Sequence, residues 1–157
     1  MHHIELYTDG ACSGNPGKGG YALILVSGPH RKEISQGFIR TTNNRMELLA
    51  VIVGLEMIKI PDSEVHVYSD SKYVVDSVSK KWVHGWEKKG FAKRKNADLW
   101  KRFLLVFRKH RVTFHWIKGH NEHPMNERCD ALAVAAYLGG NLLPDAGFES
   151  DAASGFF

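Results

Sequence analysis

The chain has only two cysteines among 157 residues, Cys12 and Cys129, and they lack the C-x-x-C spacing of a metal knuckle or redox motif. With no export signal in view they read as reduced thiols rather than a bridge. No apolar run reaches the roughly 18 residues that a membrane-crossing helix needs. The start, MHHIELYTDG, has neither a basic leader region nor an apolar one. A soluble, cytoplasmic protein with no membrane partner is therefore the expectation. His2 and His3 are too few to make a metal site by themselves. There is no internal repeat, and the length suits one domain that buries its core without disulfides or a structural metal.

Positive charge is scarce outside one segment. The formal net charge is +4, yet residues 80–111 carry twelve Lys or Arg against Glu87 and Asp98, and the rest of the chain is net acidic. Trp82, Trp86, Phe91 and Trp100 interleave with those cations. A solvated helical face explains many charge runs. Cations alternating with aromatic rings favour a nucleic-acid surface instead, where phosphates are neutralised and sugars or bases stacked.

Apolar alternation over residues 4–9, 21–28 and 32–40, punctuated by Gly and Pro, predicts three sequential strands in an antiparallel meander. Residues 43–60, NNRMELLAVIVGLEMIKI, are apolar on most of a helix surface and predict a buried helix. EVHVYSD, 64–70, predicts a fourth strand, with a helix from Ser71 to about Trp82. A strand reached through a long helix runs most easily parallel to the earlier one. Beside the first strand it would bring Asp9 and Asp70 to the same end, roughly 5 Å apart across the sheet. Residues 83–96 read as too polar and Gly-interrupted for core. A helix over 99–110, capped by Asn96 or Asp98, a fifth strand over 112–118, and a helix from Pro124 to about Leu138 follow. The segment 139–157 is rich in Gly, Ala and Ser, with three acids and no base. Its composition favours disorder, while Phe156 and Phe157 leave docking onto the domain or a partner open.

Four acids then stand at element ends on one edge of the expected sheet: Asp9, Glu47, Asp70 and Asp130. Each has an ordinary explanation. Asp9 before Gly10 is common turn chemistry; Asn44-x-x-Glu47 fits a capping box; Asp70 leads into a helix, and Asp130 suits a helix dipole. Taken together they form an all-oxygen set, which repels itself unless cations sit between the carboxylates and which suits Mg²⁺ or Mn²⁺. Two such ions about 4 Å apart can drive an in-line phosphoryl displacement. With a basic arm beside it, such a site belongs to a nuclease.

The chain resembles type 1 ribonuclease H over about residues 4–138, on five ordered motifs: YTDGACSGNPGKGGYA, TTNNRMELLAVIVGLE, SDSKYV, NADLW and WIKGHNEHPMNERCDALA. The resemblance implies an α/β, ribonuclease H-like fold. Its five-stranded mixed sheet, three strands antiparallel and then two parallel, is flanked by helices. A catalytic domain over 1–138 and a C-terminal tail over 139–157 follow. It implies endonucleolytic hydrolysis of the RNA strand of RNA/DNA hybrids, leaving 5′-phosphate and 3′-hydroxyl ends; the sequence itself gives no sign of an oligomer interface, so a monomer is the default expectation. Asp9, Glu47, Asp70 and Asp130 fall on the family's carboxylates for two Mg²⁺ ions, with Mn²⁺ as a substitute. Asp9 would touch both ions, Asp70 and Asp130 the nucleophile side and Glu47 the leaving-group side. His120 falls on a histidine that assists proton transfer or product release. Cys12, Ser13, Asn15, Asn43 and Asn44 fall on positions reading the RNA strand, as does Lys72, where a relative has Gln. Arg40, Thr42 and Asn96 fall on a pocket for a DNA-strand phosphate. Trp82, Trp86 and Phe91, with Lys88, Lys89, Lys93, Arg94 and Lys95, resemble the basic protrusion that grips the DNA strand. That arm is shortened here between Phe91 and Asn96. Two alternatives stand beside this reading: a hybrid-binding module without catalysis, and a DNA-cutting fold relative of the transposase, integrase or resolvase kind.

Overall fold

A computed structural model describes residues 2–118 and 123–153. β1 (His3–Ser13), β2 (Gly17–Ser27) and β3 (His30–Thr41) form the antiparallel meander that the alternation predicts. α1 (Asn43–Glu56) follows, and its ring of apolar side chains is buried all round, from Met46 through Leu48, Leu49 and Ile52 to Leu55. A helix with no polar face has to be covered on every side, and β1, β2 and a later helix cover it. β4 (Glu64–Ser69) then pairs parallel with β1.

The expected helix from Ser71 to Trp82 is two helices. α2 (Lys72–Ser79) is capped by Ser71, whose hydroxyl accepts from the Val74 N–H; Lys81, at φ 61°, ends the run, and α3 (Trp82–Lys88) starts in a new direction. α4 (Ala97–Phe107) and β5 (Arg111–Trp116) follow, β5 parallel to β4. α5 (Pro124–Leu138) covers the opposite sheet face, with Cys129 and Ala133 packed on Ala22 and Ile24. Cys12 and Cys129 are both free thiols.

The sheet has six strands in the order β5-β4-β1-β2-β3-β6, one more than the five expected. The sixth, β6 (Leu142–Leu143), pairs parallel with Gly37 and Phe38 of β3, and α6 (Ala146–Ala153) follows it. The segment expected to be disordered is thus ordered as far as residue 153. Two residues are too short to alternate, so β6 leaves no pattern in the sequence. Phe156 and Phe157 lie outside the described residues.

The register places the functional edge. The last β1–β4 pair is Tyr7 with Tyr68, so Asp9 and Asp70 each stand two residues beyond it. β4 stops there because Ser71 opens α2. β1 does not stop: β2 pairs it from Asp9, opposite Ala22, to Ser13, opposite Lys18. Asp9 is a mid-strand residue at the point where the parallel ladder ends, rather than the last residue of its strand.

Candidate active site

Asp9 and Glu47 are brought together by a close approach of backbones. A Cβ on Gly10 would lie 2.4 Å from the Glu47 backbone nitrogen and 2.7 Å from the Met46 carbonyl carbon, so only glycine lets β1 press this hard on α1. The Asp-Gly pair is therefore packing chemistry and not a turn. The Gly10 N–H donates to Asp9 Oδ1 and to Glu47 Oε1, each at 2.9 Å. The capping box at Asn44 is not formed. Thr42 caps α1 by accepting from the Arg45 N–H, and Glu47 is released to face the sheet edge.

Ligand-capable oxygens of Asp9, Glu47 and Asp70 lie within 4.8 Å of one another. Asp130, from α5, lies outside that trio but lines the same cavity of about 390 Å³. Asp9 and Glu47 are 4% exposed, and Glu47 Oε2 is a buried oxygen with no hydrogen-bond partner among the described residues. Burial, more than the charges of Asp70 and Asp130, pushes Asp9 up to about 8. Burial and the neighbouring Asp9 raise Glu47 well above the carboxylate range. Metal-free, the site holds acids that resist ionisation. A divalent cation offers the missing counter-charge and a partner for Glu47 Oε2.

Of the residues expected at the RNA strand, Asn43 and Asn44 line this cavity, and Asn15 lines a second one. Asn15 ties the β1–β2 turn to α1, its Oδ1 accepting from the Asn43 N–H at 3.0 Å. Ser13 and Asn44 are exposed. Cys12 Sγ points at the Thr41 carbonyl oxygen at 3.6 Å, and burial pushes its thiol up to about 11, which fits a groove wall and not a nucleophile. Lys72 is turned to the side, its Nζ 4.6 Å from the Trp116 ring centroid.

Arg40, Thr42 and Asn96 share the second cavity, of about 620 Å³. The proposed basic arm divides into two parts. Trp82 is 47% exposed, and Lys88, Lys89, Lys93, Arg94 and Lys95 stand at the surface. Phe91, by contrast, is 8% exposed and belongs to the main core, and Trp86 packs against that core edge-on to Trp100. Arg94 covers Trp86 at 4.4 Å from its centroid. Residues 83–96 are therefore not all surface, as their polarity suggested. Two aromatics anchor the arm and the cations ride on it. Tyr73 joins it to the second cavity, its hydroxyl taking Asn96 Nδ2 and Trp100 Nε1.

Other residues here carry no sequence signal of their role. Arg45 is 1% exposed and donates to Asp98 (2.7 and 2.8 Å), Asp145 (2.8 and 2.9 Å) and Asn96 (3.3 Å). An arginine inside an apolar helix is the available clue, since a buried guanidinium demands acids around it. Asn96 heads α4 in a left-handed conformation without a side-chain cap bond, because that side chain is spent on Arg45 and Tyr73. His123 caps α5 by accepting from the Asn126 N–H. At the far end of the same strands His3, Glu64 and His66 form another ligand-capable group, its members paired with one another, His3 Nδ1 to Glu64 Oε2 at 2.6 Å. His120 lies outside the described residues.

The family model for RNase H matches residues 1–137. The ribonuclease H of Pseudoalteromonas atlantica is 50% identical over 154 residues, covering 95% of this chain and 99% of that protein. That of Desulforamulus reducens is 52% identical over 147 residues, covering 90% and 92%. Among solved structures, LC9-RNase H1, a type 1 RNase H with the type 2 active-site motif, superposes with a TM-score of 0.80 at 31% identity, covering 98% of this chain and 82% of that one. LC11-RNase H1, solved in complex with an RNA/DNA hybrid, superposes at 0.64 with 27% identity, covering 85% and 96%. With the acids on one cavity, the mixed sheet beneath them and half the sequence shared along nearly the whole length, the chain belongs to the ribonuclease H family.

Proposed function

We propose that the protein is an endonuclease that hydrolyses the RNA strand of RNA/DNA hybrids, with Asp9, Glu47, Asp70 and Asp130 holding two Mg²⁺ ions. The observation that carries this is the gathering of Asp9, Glu47 and Asp70 around a buried, unpartnered Glu47 oxygen, with Asp130 on the same cavity. Hard oxygen donors without thiolate or imidazole suit Mg²⁺, and Mn²⁺ as a substitute. When bound, the ions supply the activation of a water and the stabilisation of the leaving 3′ oxygen, which gives 5′-phosphate and 3′-hydroxyl ends.

The chain supplies position and selection. The Gly10 N–H holds Asp9 and Glu47 in one arrangement, so the ligand set is built before substrate arrives. Ser13, Asn15, Asn43, Asn44 and the backbone at Cys12 meet the RNA strand, where 2′-hydroxyls distinguish it from DNA. Arg40, Thr42 and Asn96 take a phosphate of the DNA strand, and the lysines from Lys88 at the end of α3 to Lys95 in the loop after it neutralise further phosphates. Lys72 is a weaker candidate for the RNA strand, given its seat on Trp116. His120 serves proton transfer or product release. All four carboxylates come from one chain, which supports a monomer as the working unit, with residues 1–138 as its catalytic domain.

The test is one end-labelled RNA presented as RNA/DNA hybrid, RNA/RNA duplex and single strand, beside an end-labelled DNA duplex, each with Mg²⁺ and with chelator. Metal-dependent internal cutting of the hybrid alone supports the reading. Tight hybrid binding without cutting would replace it with a binding module, and cutting of duplex DNA with a DNA-cutting relative.

A further inference from the structure

The C-terminal segment meets the second cavity directly through Phe148 and indirectly through Thr41 and Arg45. Phe148, 1% exposed, lines it, and the Arg40 guanidinium carbon stands 5.3 Å from its ring centroid. Asp145 accepts from the Thr41 hydroxyl at 2.6 Å, between Arg40 and Thr42 in the chain. The same carboxylate holds Arg45, which bonds Asn96 Oδ1. Each assigned phosphate-binding residue thus touches the segment, adjoins a residue that the segment bonds, or stands one side chain away from it.

The docking is close enough to be specific. A Cβ on Gly147 would lie 2.0 Å from Asp98 Oδ2 and 2.6 Å from Arg45 Nη2, so any larger residue would push these two side chains aside where α6 comes down on the ion cluster. Asp145 Oδ1 also accepts from the Phe148 N–H at 3.3 Å, which fixes the ring on the same acid that fixes Arg45. β6 anchors the upstream side on β3, two residues before Arg40.

From this we infer that Phe148 is a positioning residue for substrate binding: its ring orients Arg40 toward the DNA-strand phosphate, so the segment after the catalytic domain sets affinity for the hybrid. The inference rests on the phosphate-pocket reading given above. Arg40 is otherwise an exposed, flexible side chain on an edge of the meander. A cation stacked on an aromatic face is held electrostatically and keeps its N–H fork for a phosphate. Ordering it in advance removes part of the entropy that binding would otherwise cost.

A double-mutant cycle with Phe148→Leu and Arg40→Ala tests this, read as KM and kcat on a hybrid with Mg²⁺ across a salt series. Leucine keeps an apolar side chain under Arg40 and removes the π face. The expected result is that Phe148→Leu raises KM roughly threefold and leaves kcat in place, that Phe148→Tyr restores the wild-type KM, and that Phe148→Leu adds nothing once Arg40 is alanine. A Phe148→Leu effect of equal size without Arg40 would overturn the inference and leave the pocket standing. An unchanged KM in Arg40→Ala would overturn the pocket itself, and the inference with it. If Phe148→Leu does not fold, Phe148→Met replaces it, since it also removes the π face and keeps an apolar chain under Arg40. A methionine variant of wild-type stability whose KM rises only while Arg40 is present supports the inference, and an unchanged KM, or a rise of equal size without Arg40, overturns it.

Discussion

Asp9 and Glu47 share a single donor, the Gly10 N–H, which stands 2.9 Å from an oxygen of each. That bond ties a strand acid to a helix acid in a place where both are buried. Burial of the two acids, which the Gly10 bonds only partly offset, leaves a site whose electrostatics oppose the folded state and which a divalent cation would relieve.

The first prediction concerns pH. Asp9 is raised from 3.8 to about 8, chiefly by burial. Between those values the folded chain keeps a proton that the unfolded chain has released, so stability falls as pH rises, with the loss complete above about pH 8. In chelator, the melting temperature of the wild type is expected to fall across this window relative to Asp9→Asn, and Mg²⁺ at pH 8 to close the gap. Parallel profiles for the two proteins would contradict the assignment.

Glu47→Gln removes a buried carboxyl that must either hold a proton or carry a charge out of water, and leaves the Gly10 bond possible. It is expected to stabilise the metal-free protein by about 1 kcal/mol at pH 8, or about 2–4 °C in melting temperature, while cutting of the hybrid is lost. Thermal melts and a cleavage assay on the same preparation check both halves.

Arg45→Met leaves Asp145, 7% exposed, buried without its cation. A loss of about 3 kcal/mol is expected in denaturant unfolding. Burial raises Asp98, but its two bonds from Arg45 outweigh this and hold it below the usual carboxylate range. The part of the stability due to Asp98 is therefore present above about pH 4 and lost as pH falls below it, and Arg45→Met should be the less acid-sensitive protein.

The basic arm divides in the same way under mutation. Trp82→Ala should change stability by under about 0.5 kcal/mol and weaken hybrid binding. Trp86→Ala, which removes the packing on Trp100, should cost about 2 kcal/mol. Neutralising Lys88, Lys89, Lys93 and Lys95 should flatten the salt dependence of hybrid binding, by about 0.7–0.9 in slope for each phosphate that is no longer neutralised. An unchanged slope would refute their phosphate role.

How much of the fold and site is legible in the sequence depends on pattern length. The meander, the buried α1 and the parallel β4 and β5 are readable because their apolar periods run for many residues. Asp70 is placed correctly because strand-to-helix order fixes which end of the sheet it meets. Asp9 reads as ending its strand, whereas β1 continues beyond it, held by pairing with β2 and not by apolar alternation. Phe91 and Trp86 read as surface because polar neighbours mask them; Phe91 joins the main core and Trp86 packs on Trp100, partners that the local pattern does not announce. Arg45 lies 53 positions from Asp98 and 100 from Asp145, and no local pattern encodes such a cluster. The tail's composition argues for disorder, yet a two-residue strand and one glycine-permitted approach order it.

The most direct measurement is cleavage of an end-labelled RNA/DNA hybrid in Mg²⁺ by the wild type and by Asp9→Asn, Glu47→Gln, Asp70→Asn and Asp130→Asn, with hybrid binding measured alongside. The account predicts that the wild type cuts the RNA strand only with metal, and that each variant binds the hybrid but loses cutting. Near-wild-type turnover in Asp9→Asn, or metal-independent cutting by the wild type, would contradict it.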